Sequence, residues 1–563
     1  MRRLLIGLLA ATLALAGLMA WLPGIVKAAD APLAGTWKII VLAGGQEITV
    51  WLVQIEDKGG KPQAAVLASL PNFKGTTVED FRIEDKSIRL ALKANDIPFA
   101  IVAYGKDDKA PKSLLGSVEV RGQREFIRLE RTEAKELDPQ KAVVTGPSQG
   151  ELQKAFQIRD DKERGTALKA LVQKYPDQPV GYVAAQQVAA LAARANAEAD
   201  ARAYAEQALR IAALYGPEAK REAALQLARA LAPSDKLAAL QLDYARQAAQ
   251  LLRDDDSAGV RLAVLKTLAA ALRKTGKGDE VKPLEERIAK LDEQLDQEFL
   301  KTAIPFKPEP YAGRKSKGGR VAVLELFTGA QCPPCVAADV AFDALLQTYP
   351  PADVVLLQYH LHIPGPDPLT NRDTEKRSEF YGVQGTPTVF LDGKEGPPVG
   401  GGRQHAKDRY DTLRKQLDER LEAAPQAGLR LTADRKGDKI DIQAEVADLK
   451  KTGDHIRLRF VLIEDVVRYP GRNGQRLHHH VVRAFPGGVD GIPLKEQSGK
   501  HHVSISVAEV RKALSDYLAD YAKNQGFLDD ERPLELKHLK VAALVQDNAS
   551  KEILQAAQVA LQE

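Results

Sequence analysis

The stretch Glu325-Leu326-Phe327-Thr328-Gly329-Ala330-Gln331-Cys332-Pro333-Pro334-Cys335 carries an apolar run into a Cys-x-x-Cys turn. Residues 321–327 are apolar and few enough for a buried parallel strand, and 336–346 repeat apolar residues at helical spacing. The pattern therefore predicts that Cys332 stands at a helix N-terminus. There the helix dipole and the unpaired N–H groups favour a thiolate over a thiol. Cys332 is the candidate nucleophile, and Cys335, one turn inside, the candidate resolving thiol. Pro333 and Pro334 remove two backbone donors, a loss that the first turn of a helix tolerates.

These two cysteines are the only ones among 563 residues. In the chain-entropy model, closing so short a loop stabilises by roughly 2 kcal/mol, so stapling is a poor reason to have them. Half of a zinc site is another reading, but it needs two more ligands to close a tetrahedron. Redox chemistry is the reading favoured over an inert staple and a metal half-site.

Downstream, 354–360 reads as a second apolar strand. A Pro/Gly-rich loop, a short helix near 375–381 and the run Gly385-Thr386-Pro387-Thr388-Val389-Phe390-Leu391 follow it. The order of strand, Cys-x-x-Cys helix, strand, helix, Thr-Pro strand, hairpin and terminal helix resembles the thioredoxin superfamily over residues 320–423. Within it, the Glu-Leu-Phe-Thr-Gly-x-x-Cys-Pro-Pro-Cys form is most similar to secreted bacterial thioredoxin-like proteins. The resemblance implies an α/β domain, thiol–disulfide exchange without a cofactor, and protein thiols or disulfides as partners, with a redox-recycling partner. It also implies that Pro387 is cis and lies against the cysteine pair, shaping the substrate cleft. The family has a tryptophan before the first cysteine and a buried acid six residues before it, where this chain has Gln331 and Leu326. Glu325, one place away, is a candidate proton relay if a bulge turns it inward. His360 and His362 stand two apart at the end of a strand, so they share a face. Either imidazole is a candidate proton relay for the thiol, the other reading being loop histidines bonded to the backbone of 364–368.

At the start of the chain, Met1-Arg2-Arg3 precedes an apolar run over 4–22, then Pro23-Gly24 and Ala28-Ala29-Asp30-Ala31. Residues 1–28 read as a secretory signal cut after Ala28, which places the mature chain in the periplasm or cell envelope. Left uncut, the run is long enough to span a membrane. The formal charge of +4 falls to +1 once Arg2, Arg3 and Lys27 leave with the signal, a balance that argues against nucleic acid as a partner.

The rest reads as a multidomain chain. Residues 33–135 alternate in short runs at 36–42, 49–56, 64–70, 87–93, 97–104 and 125–130, which predicts an antiparallel β domain, a sandwich or small barrel. Gly35-Thr36-Trp37 is similar to the opening of lipocalin-like barrels, with Trp37 the expected core residue. Residues 148–300 turn rich in Ala, Leu, Arg, Gln and Glu, with breaks at Tyr175-Pro176, Gly216-Pro217 and Ala232-Pro233, and predict a solenoid-like array of helical hairpins. Residues 301–319 read as a Pro-rich, basic linker before the thioredoxin-like domain at 320–424. From 427 to 563 the expectation is a β-sandwich-like domain with added helices, the last element a helix after 545. Five of the ten histidines fall in His478-His479-His480 and His501-His502. Cross-strand imidazoles without metal are the favoured reading, since only His478 and His480 share a face. The function expected is an exported thiol–disulfide oxidoreductase. The competing expectation is an envelope binding or scaffold protein carrying a non-catalytic module.

Overall fold

A computed structural model describes residues 33–562 apart from 59–60, 85–86, 96, 106–110, 121–122, 316–317 and 528. The signal read over 1–28 lies outside the described residues. The chain divides into two compact units at Leu295/Asp296.

In the first unit the strands are β1 Gly35–Ala43, β2 Gln46–Lys58, β3 Lys61–Ser69, β4 Thr77–Glu84, β5 Ser87–Ala94, β6 Ile97–Tyr104, β7 Ser113–Val120, β8 Gln123–Thr132 and β9 Val143–Thr145. They pair antiparallel in the order β3-β2-β1-β8-β7-β6-β5-β4, with β9 on β2. From β1 to β3 and from β4 to β8 neighbours in sequence pair in space, and β1 pairs with β8 to bring the meander round on itself. Strand alternation sends Trp37, Ile39, Trp51, Leu90, Ile101 and Leu129 into one core. Trp37 donates its indole N–H to Leu33 O at 2.9 Å, and Arg131 lies 4.7 Å from its ring. The six predicted strands are present; β4, β7 and β9 are additional.

The helices that follow are α1 Pro147–Gln157, α2 Asp161–Lys174, α3 Pro179–Arg194, α4 Glu198–Ala213, α5 Pro217–Leu231, α6 Ala238–Gln250, α7 Ala258–Lys274 and α8 Lys282–Thr302. Proline stands in the first turn of α1, α3 and α5, where its missing N–H costs nothing. Alanines such as Ala184, Ala189, Ala205, Ala208, Ala224 and Ala228 fill the buried seams, so helix packs on helix at close range.

The second unit holds one mixed sheet built from both stretches expected as separate domains. Its early elements are β10 Ala322–Thr328, α9 Val336–Thr348, β11 Val354–His360, α10 Arg372–Tyr381, β12 Thr388–Leu391, β13 Lys394–Glu395 and α11 Ala406–Leu421. Then come β14 Gly428–Lys436, β15 Lys439–Ala447, β16 Gly453–Arg468, β17 Leu477–Ala484, β18 Ile492–Leu494, β19 Gly499–Ser506, α12 Val507–Asn524, β20 Leu539–Asp547 and β21 Ile553–Ala560. The sheet runs β13-β12-β10-β11-β17-β16-β20-β21 with β18 on β16, and β14-β15-β19 form a second, smaller sheet. Strands β10 and β11 are parallel and joined through α9, whereas β12 is antiparallel to β10.

Two expectations change here. The strands after 427 are not a freestanding sandwich: β17 pairs beside β11, and Val461, Ile463, Val482 and Leu544 share a core with Val323, Phe327, Leu357 and Tyr359. A two-layer element does exist, because β14 and β15 pack through Leu431, Ile440 and Ile442 on Leu458, Phe460 and Val541. The final helix is instead the strand β21, antiparallel to β20 from Lys540↔Ala560 to Gln546↔Ile553. Its Ala/Gln composition favours helix locally, but pairing and burial override propensity.

Candidate functional site

Strand β10 ends at Thr328, and the chain reverses through Gly329. A Cβ on Gly329 would lie 2.6 Å from Ile363 O, so only glycine lets the turn approach that loop. Cys332 N–H donates to Gly329 O at 3.0 Å, and Cys332 caps a single turn, Pro333–Cys335, that runs into α9. Cys332 and Cys335 form a disulfide with Cα atoms 5.3 Å apart. The first turn of α9 is tied down from the far side: Gly401 donates to Pro334 O at 2.8 Å, and Gly401 O accepts from Ala337 at 3.0 Å.

The Thr386-Pro387 peptide is cis and faces this pair. Thr386 O lies 3.6 Å from Cys332 Sγ, and Thr386 Oγ1 lies 3.4 Å from it and 3.2 Å from Ile363 O, so its single proton can serve either acceptor. A hydroxyl and a helix N-terminus thus both address one sulfur. When the bond is reduced, each favours the thiolate of Cys332.

Both cysteines are closed off, Cys332 at 1% exposure and Cys335 at 0%. The 469–476 loop between β16 and β17 packs on the turn just before Cys332. Asn473 donates its backbone N–H to Ala330 O at 3.2 Å and its side-chain amide to Gly329 O at 3.3 Å. Gln331 reaches Tyr469 Oη at 3.4 Å.

Beneath the turn, on the α9 side of the sheet, a polar layer lies in an otherwise apolar interior. Asp367 Oδ2 accepts from Ala330 N–H at 2.6 Å and pairs with His360 Nδ1 at 2.8 Å, and its Oδ1 accepts from Leu369 N–H at 2.9 Å. Burial pushes the Asp367 carboxyl up, but His360 and the two backbone N–H groups outweigh it and hold the group below the usual carboxylate range. His360 Nε2 meets Gln358 Oε1 at 3.2 Å, and Gln358 Nε2 lies 3.3 Å from Asp339 Oδ1, which also accepts from Thr328 Oγ1 at 2.7 Å. Burial pushes the Asp339 carboxyl well above its ordinary value, and Asp343 and Asp367 push the same way against the Thr328 bond. His478 rests edge-on against His360, ring centres 4.8 Å apart. Burial, and next the neighbouring His360, push the His478 imidazole down to about 3.

The structure therefore brings Cys332, Cys335 and the Thr386-Pro387 bond together, and it places His360 one layer down, linked to the turn through Asp367. His362 points elsewhere. Its Nδ1 accepts from Asp367 N–H at 2.9 Å, its ring stacks on Tyr521 at 3.6 Å, and burial pushes it down to about 4 against the pull of Asp367. Glu325 also stands apart, and its expected relay role is corrected. The β10 register is unbroken against both neighbours, so no bulge turns Glu325 inward. Its carboxylate instead takes Arg377 Nε at 2.9 Å and Tyr359 Oη at 2.8 Å on the opposite face. Asp339, Gln358, Asp367 and Thr386 were not singled out from the sequence. A lone Asp in Val336-Ala337-Ala338-Asp339-Val340 and a lone Gln in Leu356-Leu357-Gln358-Tyr359 were the available signals.

The histidine runs do not converge. His479 pairs with Asp343 at 2.8 Å, His480 Nδ1 with Leu356 O at 2.9 Å, and His502 on β19 with Asp441 at 3.4 Å. Among the described residues, no group of three or more His, Cys, Asp or Glu side chains could hold a metal ion. Among the described residues, no helix is long and apolar enough to cross a membrane. A groove of about 550 Å³ lined by Arg202, Arg210, Lys220, Tyr244 and Arg246 lies in the helical array of the first unit.

No protein-family model matches the chain, and no curated protein matches it. Among solved structures it is similar to HBP35 of Porphyromonas gingivalis, at 17% identity over 44% of this chain and 77% of that chain, with a TM-score of 0.32.

Proposed function

We propose that this chain is an exported thiol–disulfide oxidoreductase whose second unit contains a thioredoxin-like domain working on protein thiols or disulfides. The observation that carries the reading is the Cys332–Cys335 disulfide at the start of α9, with both the carbonyl and the hydroxyl of Thr386 against Cys332 Sγ. In the reducing direction the Cys332 thiolate attacks a substrate disulfide, and one substrate sulfur leaves as a thiolate. Cys335 then attacks the mixed disulfide, restoring the Cys332–Cys335 bond and releasing the second substrate thiolate, so two electrons pass to the substrate. The oxidising direction is the reverse. Pro387, held cis beside the pair, and Thr386 would shape the cleft for an extended chain. Export rests on reading 1–28 as a secretory signal, and turnover requires a redox-recycling partner.

Replacing Cys335 by Ser leaves Cys332 to form a mixed disulfide that nothing resolves. The expected result is an adduct of the full chain with a peptide disulfide, visible by intact mass and removed by reductant, with no adduct in Cys332→Ser. No adduct in either variant would contradict the reading.

A second reading is favoured by one observation, the closure of both sulfurs from solvent. It makes the chain an envelope binding or scaffold protein with an idle disulfide. Under it, neither variant forms an adduct in the folded chain.

A further inference from the structure

The 469–476 loop that packs on the cysteine turn is itself held by the end of α8. Residues 296–302 of that helix belong to the second unit. Asp296 places one carboxylate oxygen on each stem of the loop: Oδ2 accepts from Arg468 Nε at 2.6 Å, and Oδ1 accepts from Arg476 Nε at 2.6 Å. Arg468 is the last residue of β16, and Arg476 directly precedes β17. Two guanidinium groups that would repel each other therefore share one carboxylate, and its charge draws the stems together. Glu531 adds a second acid on the Arg468 side, at 3.3 Å.

A second tie runs through Arg403. Its Nη1 donates to Thr302 O, at the last residue of α8, at 2.8 Å, and its Nη2 donates to Gln475 Oε1 at 3.2 Å. Gln475 is buried, and its backbone N–H donates to Asn473 Oδ1 at 3.0 Å. That bond fixes which way round the Asn473 amide sits. With Oδ1 taken by a donor, Nδ2 is the atom that meets Gly329 O, the same carbonyl that accepts the Cys332 N–H. The Asn473 N–H on Ala330 O completes a two-point grip on the turn. Arg403 also follows by two residues the Gly401 that bonds Pro334 O and Ala337 N–H, so both sides of the cysteine turn are tied to one helix end.

We infer that the end of α8, through Asp296 and Arg403, holds Asn473 on the turn and so sets how stable the Cys332–Cys335 disulfide is against the dithiol. The inference rests on the redox reading of the pair. Asp296, Arg403, Gln475 and Asn473 are positioning residues that act through the backbone of Gly329 and Ala330. Reduction by glutathione breaks the Cys332–Cys335 bond, joins two glutathione thiols in one glutathione disulfide, and passes two electrons and two protons to the cysteines. Two sulfurs that are no longer bonded need more room than two that are, so the turn must give. The grip on Gly329 and Ala330 resists that movement and favours the disulfide.

The test is the glutathione equilibrium of the full chain, read by thiol trapping and intact mass in the unmodified chain, Asp296→Asn and Asn473→Ala. An asparagine at 296 accepts from one arginine and turns its amide donors toward the other, so the loop stems part. In each variant the equilibrium is expected to move roughly tenfold toward the dithiol, a potential about 30 mV less negative. The double variant should move no further than the larger single change, since both act through one loop. Asp353→Asn, which loses an ion pair with Arg314 just before β11, should leave the equilibrium unchanged. An unchanged equilibrium in either test variant, a shift toward the disulfide, additive shifts in the double variant, or an equal shift in Asp353→Asn would overturn the inference while leaving the redox reading standing. Asn473 is part of no apolar core, so its variant decides the matter even where Asp296→Asn loses the fold. Failure of the unmodified pair to equilibrate with glutathione at any ratio would overturn both the inference and the redox reading.

Discussion

At Cys332 the chemistry depends on two kinds of donor. One is the helix N-terminus, and the other is the Thr386 hydroxyl, 3.4 Å from Sγ. A net hydrogen bond to the sulfur is worth about 1 kcal/mol, so Thr386→Val is expected to raise the Cys332 thiol pKa of the reduced protein by roughly 0.5–1 unit. The pH dependence of Cys332 alkylation measures it. His478 gives a second prediction. Its folded value, pushed down to about 3 by burial and the neighbouring His360, lies below the ~6.5 of an unfolded histidine. The folded value being the lower, the stability it contributes is complete above ~6.5 and lost as pH falls toward about 3, with a slope approaching about 1.4 kcal/mol per pH unit. His478→Gln, which can still donate toward Tyr469 O, should flatten that acid decline in urea unfolding followed by circular dichroism. At this scale the sequence showed the cysteines and the Thr-Pro bond, because the motifs are local. It did not show Asp339 or Asp367, because their partners are brought in by the fold from β10, β11 and the loop before Cys332.

At the scale of elements, the 469–476 loop braces the turn that leads into Cys332 through Gly329, Ala330 and Gln331. A Cβ on Gly471 would lie 2.4 Å from Ala330 O and 3.1 Å from its carbon, both backbone atoms that cannot give way. Gly471→Ala is therefore expected to lift the loop from the cysteine turn, at a cost of about 1–3 kcal/mol of overpacking. Reduction of the disulfide by a bulky dithiol should be faster than in the unmodified chain, and an unchanged rate would mean that this loop does not control access. Strands β10 and β11 and helix α9 were legible because their apolar runs are long and periodic. The charged run Thr77–Glu84 of β4 and the glycine-containing Ser113–Val120 of β7 were not, since neither alternates cleanly. The final strand β21 was misread because its alanines and glutamines favour a helix until β20 pairs with them.

For the whole molecule, the main departure from the sequence reading is the shared sheet. Contact between β11 and β17 joins residues more than a hundred positions apart, and nothing local announces it. A fragment of 301–424 would expose the β11 edge and half of a common core, so it is expected to be unfolded or aggregated, whereas 296–563 should fold alone. Circular dichroism of the two fragments distinguishes these outcomes. Of the three tryptophans, Trp37 and Trp51 lie in the core of the first unit and none lies in the second, so their fluorescence follows the first unit.

Whether the Cys332–Cys335 bond exchanges with other thiols is tested most directly by the reduction potential of that pair in the full chain. Thiol trapping and intact-mass analysis across a glutathione titration would give it. A working oxidoreductase predicts reversible equilibration at roughly −120 to −270 mV. A pair that never equilibrates, or does so only below about −300 mV, would contradict the account and leave a structural disulfide in a binding protein.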